Sequence, residues 1–173
     1  MGWSSHHPVG LIHYDPQRSF RGYTVLCNNR AALDARLIDM EGRICHRWHW
    51  PGGIGYAYLL PSGNLLLRTA PQQGPSGPGG GGGSSGALVE LDWDSNLVWE
   101  YHNPMIHHDF QRLDNGNTLG LLWERIPAEL TRSVSGGYKT NGDPEQMLGD
   151  VVEEITPDGK AVHRWESWNH LSL

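Results

Sequence analysis

The sequence has little of several features that define common protein classes. It has 2 cysteines and 2 phenylalanines, and its 13 Lys and Arg residues against 19 Asp and Glu give a formal net charge of -6. The basic residues form no cluster, which argues against a nucleic-acid or anionic-membrane partner. No apolar run has the length of a membrane-spanning helix. The first seven residues have neither a basic region nor an apolar core, so we expect no signal peptide as written, and the compartment stays open.

The small number of cysteines leaves two alternatives. Cys27 and Cys45 can form one disulfide, or they can be two free thiols on neighbouring strands. Two thiols do not fix the redox compartment, so the sequence does not choose between these states.

Glycine and tryptophan are abundant instead, and no stretch has convincing helical periodicity. The chain of 173 residues contains 23 Gly and 8 Trp, with 38% hydrophobic and 18% charged residues. This length and composition fit a single domain with a sizeable core. Many glycines with scattered tryptophans favour short strands joined by tight turns over a helix bundle.

One hairpin pattern occurs three times along the chain. Each copy has an alternating apolar run, a short turn and a second run that ends on an aromatic residue, and period-two alternation predicts strands. In the third copy, Pro157-Asp158-Gly159 has the residue types that a tight turn needs. The second runs of the three copies are GRICHRW (42–48), SNLVWEY (95–101) and GKAVHRW (159–165).

Another hairpin precedes each copy, so the sequence predicts three four-stranded antiparallel units at about 10–50, 54–102 and 107–168. Repeated four-stranded sheets of this size are typical of β-propeller blades. We therefore predict an all-β chain that forms a propeller segment of about three blades within one domain, 1–173. The alternative is a plain antiparallel sandwich.

Two segments interrupt this pattern, and both lie between the second and third strands of a unit. Residues 71–86 are rich in Gly, Pro and Ser and cannot pack a core, so they are predicted to form a flexible loop. Residues 126–149 are predicted to form a longer loop with a helical turn near 127–132. Strands alternate in direction, which places both loops on one face of the propeller.

The run HHDF at 107–110 begins the innermost strand of the third unit, on the face of the long loops. Histidines also stand at this position before the first unit, as His6-His7, and after the third, as Asn169-His170. The innermost strands of a propeller line its central channel. Adjacent residues of a strand point to opposite faces, so one of His107 and His108 is expected to face the channel.

These runs resemble the arylsulfotransferase-like proteins, a β-propeller family. The similarity covers about Gly10 to His170 and is most specific in HHDFQRLDNGNTL (107–119) and the closing WNHL (168–171). It implies transfer of a sulfuryl group from a phenolic sulfate ester to a phenol acceptor, through a sulfated histidine and with no cofactor. Members are mostly exported. They are about twice this length and have six blades, so other chains or missing blades would complete the ring.

The resemblance and the strand positions together give the candidate site residues. The candidate catalytic residues are His107, His108 and His170, and the candidate substrate-binding residues are Asp109, Tyr56 and Asn169. Imidazole can act as a nucleophile, an acid or a base near neutral pH, and Asp109 can orient a histidine.

Three other interpretations remain open. Arg112 lies towards the turn and is interpreted as structural. A metal site that also includes His102 is an alternative, but the spacing has no metal-binding motif, so none is predicted. The alternative function is a non-catalytic propeller scaffold or assembly subunit.

Overall fold

The structure, a computed structural model, describes residues 11–27, 32–70, 85–134 and 147–171. This part of the chain is all-β and forms three antiparallel sheets, of three, four and four strands, each in sequence order. Sheet 1 consists of β1 (Thr24–Cys27), β2 (Asp34–Ile38) and β3 (Ile44–His49); sheet 2 of β4 (Ile54–Leu59), β5 (Leu65–Thr69), β6 (Ala87–Leu91) and β7 (Leu97–His102); sheet 3 of β8 (Ile106–Arg112), β9 (Thr118–Arg125), β10 (Leu148–Ile155) and β11 (Ala161–Glu166). Two short helical segments accompany them, α1 (Ala128–Thr131) and a 3-10 turn (Ser167–His170).

Five tight turns of one geometry connect the hairpins. In each, the backbone N–H of the residue before the turn bonds to the carbonyl oxygen four residues later, as Leu113 does to Asn117 at 2.8 Å. The third residue after this N–H donor has a positive φ, a conformation that glycine adopts without steric cost. The residues at that position are Gly42 (78°), Gly63 (90°), Ser95 (67°), Gly116 (87°) and Gly159 (80°).

Sheet 2 lies between the other two sheets, and its central strands β5 and β6 are buried on both faces. Along β5, Leu65 and Leu67 pack in one core cluster with Ala35 and Trp48 of sheet 1. Leu66, between them, points the other way and packs with Phe110 of sheet 3. Alternation along a strand therefore divides one apolar run between two cores, and each fully buried leucine contributes roughly 1.5–3 kcal/mol.

These sheets confirm the predicted all-β class and its antiparallel hairpins, with one correction. The first unit was predicted to have four strands from residue 10 onward, but residues 11–23 contain no strand and sheet 1 has three strands. Pro16 and a turn in which Ser19 N–H bonds to the Asp15 carbonyl at 2.9 Å replace the predicted strand. The three sheets stack without closing into a ring.

The two predicted loops are partly described. The helical turn expected near 127–132 is present as α1, and β10 begins at Leu148, inside the predicted loop 126–149. Residues 71–84 and 135–146 lie outside the described residues, as do His6 and His7. Ser85 was assigned to the flexible loop, yet it is buried, and its N–H bonds to the Ile106 carbonyl at 3.0 Å. In the described chain no helix is long and apolar enough to cross a membrane.

Arg112 and two of the repeat tryptophans connect neighbouring sheets. Arg112 pairs with Glu90 of sheet 2 at 2.6 Å, and its guanidinium lies 4.8 Å from the centre of the Trp99 ring. Trp48 is fully buried between sheets 1 and 2, whereas Trp165 on β11 is 40% exposed.

Cys27 and Cys45 are free thiols in the structure.

Thr118 offers a test of the core between sheets 2 and 3. Its side chain is 0% exposed, and its hydroxyl has no hydrogen-bond partner in the structure. A buried hydroxyl without a partner costs about 1–3 kcal/mol, so Thr118→Val is expected to raise the free energy of unfolding by about 1 kcal/mol. Urea denaturation measures the change. Thr156→Val is the control and should lower stability, because the Thr156 hydroxyl accepts the Lys160 N–H at 3.1 Å. A loss above about 1 kcal/mol for Thr118→Val would mean that this hydroxyl is bonded.

Candidate active-site cleft

A cleft of about 570 Å³ opens between sheet 1, sheet 2 and the start of β8. It contains three of the residues predicted from the sequence, Tyr56, His108 and Asp109, and adds Arg68 from β5. Its other lining residues are mostly small or apolar: Val25, Leu26, Cys27, Gly55 and Ala57. We call this space the His108 cleft. Burial raises the pKa of the Cys27 thiol in its wall, so the thiol form is favoured, although a hydrogen bond involving the Ala57 backbone opposes the shift.

A bulge in β8 presents His108 to the cleft. Ile106 pairs with Leu122 and Phe110 pairs with Gly120, so three residues of β8 lie opposite the single residue Leu121. His108 has a φ of 51°, which is uncommon for a residue other than glycine. Strained backbone of this kind is concentrated at functional sites, where the surrounding structure holds it in place.

The bulge sends the two histidine rings to different environments. His107 is 2% exposed and its ring stacks on Trp123 with centroids 4.2 Å apart, whereas His108 is exposed in the cleft. Their Nδ1 atoms are 2.9 Å apart and share one hydrogen bond. Burial is the largest effect on the His107 ring and lowers its pKa. Electrostatic repulsion from His108 and Arg68 lowers the pKa further. The Asp150 carboxylate and the Leu122 carbonyl raise it and partly offset these effects. The net effect lowers the pKa of His107, so burial favours its neutral form.

Arg68 is the most buried charged side chain of the cleft. It is 5% exposed, its Nε–H donates to the His108 carbonyl oxygen at 3.0 Å, and its Nη1 has no hydrogen-bond partner in the structure. Burial lowers the pKa of Arg68 and the Asp109 carboxylate raises it, but a guanidinium stays charged in proteins. Gly55 leaves room for it, because a Cβ there would lie 2.8 Å from Nη1. The cleft thus holds a buried cation with an unused donor.

Tyr56 and Asp109 lie at the cleft with their polar groups accessible. The ring of Tyr56 is 44% exposed and contacts Phe110 edge-on at 5.8 Å between centroids. The Asp109 carboxylate accepts the Phe110 N–H at 2.9 Å. Asp109 was expected to orient a histidine of the HHDF run, but the carboxylate next to the His107 ring is that of Asp150, whose Oδ1 lies 3.3 Å from His107 Nε2.

The other predicted site residues lie elsewhere. His170 belongs to the 3-10 turn, and its ring stacks on Trp165 at 4.8 Å between centroids. The side-chain amide of Asn169 donates to Glu166 at 2.9 Å. His102, considered above as a metal ligand, pairs with Glu100 at 2.9 Å. No group of three or more His, Cys, Asp and Glu side chains is placed to hold a metal ion within the described ranges.

Arg68 and Asp150 were not among the site residues predicted from the sequence. Arg68 had one visible signal, a charge inside the apolar run LLLRT of a strand with buried neighbours. Asp150 had none, because it stands 43 positions along the chain from His107, and only the pairing of β9 with β10 brings the two together.

No family model and no curated protein matches this chain. Among solved structures it is similar to a protein of unknown function from Bacteroides caccae, with 17% sequence identity and a TM-score of 0.48. The similarity covers 84% of this chain and 46% of that one, so this chain spans about half of that protein's length. The arylsulfotransferase-like resemblance therefore rests on the sequence motifs alone.

Proposed function

We propose that the His108 cleft binds a phenolic sulfate ester and transfers its sulfuryl group to a phenol by way of His108. The observation that carries the proposal is the unpaired Nη1 of buried Arg68 in the same cleft as His108. A buried cation with an unused donor favours an oxyanion, because burial without a partner is costly and charge-assisted hydrogen bonds are strong.

The transfer has two displacements at sulfur. In the first, the lone pair of His108 Nε2 forms an N–S bond while the S–O bond to the phenol breaks, and the phenolate leaves with that electron pair and then takes up a proton. In the second, the acceptor phenol gives up its proton and forms an S–O bond as the N–S bond breaks. Arg68 stabilises the sulfuryl oxygens in both, and donors of this kind are worth about 10²–10³ in rate.

The rest of the cleft fits the aromatic part of such a substrate. Val25, Leu26 and Ala57 supply apolar surface, and the half-exposed ring of Tyr56 supplies an aromatic contact. The Asp109 carboxylate faces the same space and is available to accept the proton of the phenol acceptor.

The test is a transfer assay with 4-nitrophenyl sulfate as donor and 1-naphthol as acceptor, together with equilibrium binding of the donor. Arg68→Met keeps an unbranched apolar stem and removes the guanidinium with its charge and donors, so binding and transfer should both fall by a factor of about 10² or more. The control is Arg47→Met on β3, which changes an exposed arginine that does not line the cleft. Wild-type protein that neither binds nor turns over the donor would refute the proposal.

A second candidate function, a non-catalytic propeller subunit, is favoured by the apolar surface of the outer sheets. Val162 and Trp165 on β11 are 58% and 40% exposed, and Ile44 on β3 is 45% exposed. Stacked blades need neighbours on both faces, so another set of blades, from a second chain or from further sequence, would cover these positions. The prediction that this chain forms about half of a six-bladed propeller is part of this second proposal. Light scattering of a stable 19 kDa monomer at micromolar concentration would contradict it.

A further inference from the structure

The contact between the two histidine rings admits only two arrangements of protons when both rings are neutral. The Nδ1 atoms of His107 and His108 are 2.9 Å apart, so one of them carries a proton and the other accepts it. If His107 donates, its Nε2 carries a lone pair and His108 carries its proton on Nε2. If His108 donates, the positions are reversed, and His108 Nε2 is left with a free lone pair.

Asp150 distinguishes these two arrangements. Its Oδ1 lies 3.3 Å from His107 Nε2, which is buried and has no well-aligned hydrogen-bond partner. A lone pair on that nitrogen would face a carboxylate oxygen at short range, with no donor between them. A proton on the same nitrogen would instead be attracted to the carboxylate, and a partly buried position strengthens this preference.

The fold holds the two rings in this relation. His107 is fixed by its stack on Trp123, and Trp123 pairs with Asp150 across β9 and β10. The backbone of His108 is fixed by the hydrogen bond from Arg68 to its carbonyl oxygen. The carboxylate, the His107 ring and the His108 ring therefore form one connected chain that ends at the cleft.

We propose that Asp150 and His107 are positioning residues, which fix the tautomer of His108 so that Nδ1 carries the proton and Nε2 faces substrate with a free lone pair. The inference rests on the proposed function, because it assigns the state that His108 needs as a nucleophile. The effect resembles the general role of a carboxylate that orients a histidine through its ring N–H. Here a second histidine stands between the carboxylate and the reacting nitrogen.

The tautomer is measured by two-bond ¹H–¹⁵N correlation NMR of ¹⁵N-histidine-labelled protein, recorded over a pH series up to the point where the ring ¹⁵N shifts no longer change with pH. In the wild type, the His108 Nδ1 shift should be that of a protonated nitrogen and the Nε2 shift that of an unprotonated one. In Asp150→Asn the amide can donate to His107 Nε2, so the His108 pattern should reverse in a substantial fraction of molecules. Asp150 is largely exposed, with 57% of its side chain accessible, so this change should leave the fold intact.

Two further variants complete the experiment. Asp150→Glu keeps a carboxylate at this position and should keep the wild-type NMR pattern of His108. The control Asp94→Asn replaces an exposed aspartate in a turn with asparagine, and it should also keep the wild-type pattern. In the transfer assay, Asp150→Asn should lower kcat about 10²-fold with little change in KM.

Each outcome bears on one of the two proposals. A wild-type His108 with its proton on Nε2, or an Asp150→Asn protein with an unchanged His108 pattern, would overturn the positioning role whether or not the protein transfers sulfate. The expected NMR shifts in a protein without transfer activity would support the positioning role and refute the proposed function.

Discussion

Replacing His108 with alanine is expected to abolish the proposed sulfuryl transfer while leaving the fold intact. The side chain is exposed in the cleft, and its only described polar contact is the one with His107. Its backbone carbonyl, which holds Arg68, is kept in the variant. Loss of a nucleophile typically removes several orders of magnitude of rate, so transfer should fall below about one thousandth of the wild-type value.

The measurement combines the transfer assay with thermal unfolding and with capture of the intermediate. Wild-type protein mixed with donor alone should gain the mass of one sulfuryl group and release one equivalent of phenol, and His108→Ala should do neither. His163→Ala on β11 is the control, since it removes another exposed histidine and should behave like the wild type. Full activity in His108→Ala would eliminate this cleft as the site.

Replacing His107 with alanine should have a different effect from replacing the neighbouring His108. Its ring is buried against Trp123, so His107→Ala leaves a cavity and is expected to destabilise the protein as well as lower transfer.

The two histidines were equivalent candidates in the sequence. Strand alternation predicted that only one would face the channel, and the structure separates them through the bulge and the positive φ of His108.

The repeated turns and strands were predictable because their signals are local. A glycine at a fixed place in a short turn has one physical cause, the positive φ, and the runs between the turns alternate with period two. The missing strand before Thr24 shows the limit of this reasoning. The segment around Pro16 was included in the pattern because it precedes a hairpin, but its own residues alternate weakly.

The composition of the cleft was less predictable because it depends on how the sheets stack. Tyr56 and His108 lie in different sheets, and they meet only because β4 and β8 begin at the same end of neighbouring sheets. Arg68 enters from near the end of the core strand β5, and its charge in an apolar run was the one sign that it differs from its buried neighbours. His170 was assigned to the site from its position in the repeat, and the structure places it against Trp165.

Replacing Trp48 with alanine is expected to have the largest effect on stability, because this side chain holds sheet 1 on sheet 2. Trp48 is 0% exposed and packs in the cluster that Ala35 and Leu37 form with Ile54 and Leu67. Truncation of a buried tryptophan to alanine typically costs 3–5 kcal/mol, roughly a third or more of the stability of an ordinary domain.

Two variants show whether the loss arises from packing. The Trp48 Nε1 is buried without a hydrogen-bond partner in the structure, so Trp48→Phe removes an unsatisfied donor, keeps most of the ring, and should recover most of the lost stability. Trp165→Ala removes a tryptophan that is 40% exposed and should cost far less. Urea denaturation followed by circular dichroism gives the three values. A loss below about 1 kcal/mol for Trp48→Ala would mean that sheet 1 does not depend on this contact. Val25 and Cys27 of sheet 1 also line the His108 cleft. A weaker contact between sheets 1 and 2 should therefore lower the affinity of Trp48→Ala for the sulfate donor, even under conditions in which the protein remains folded.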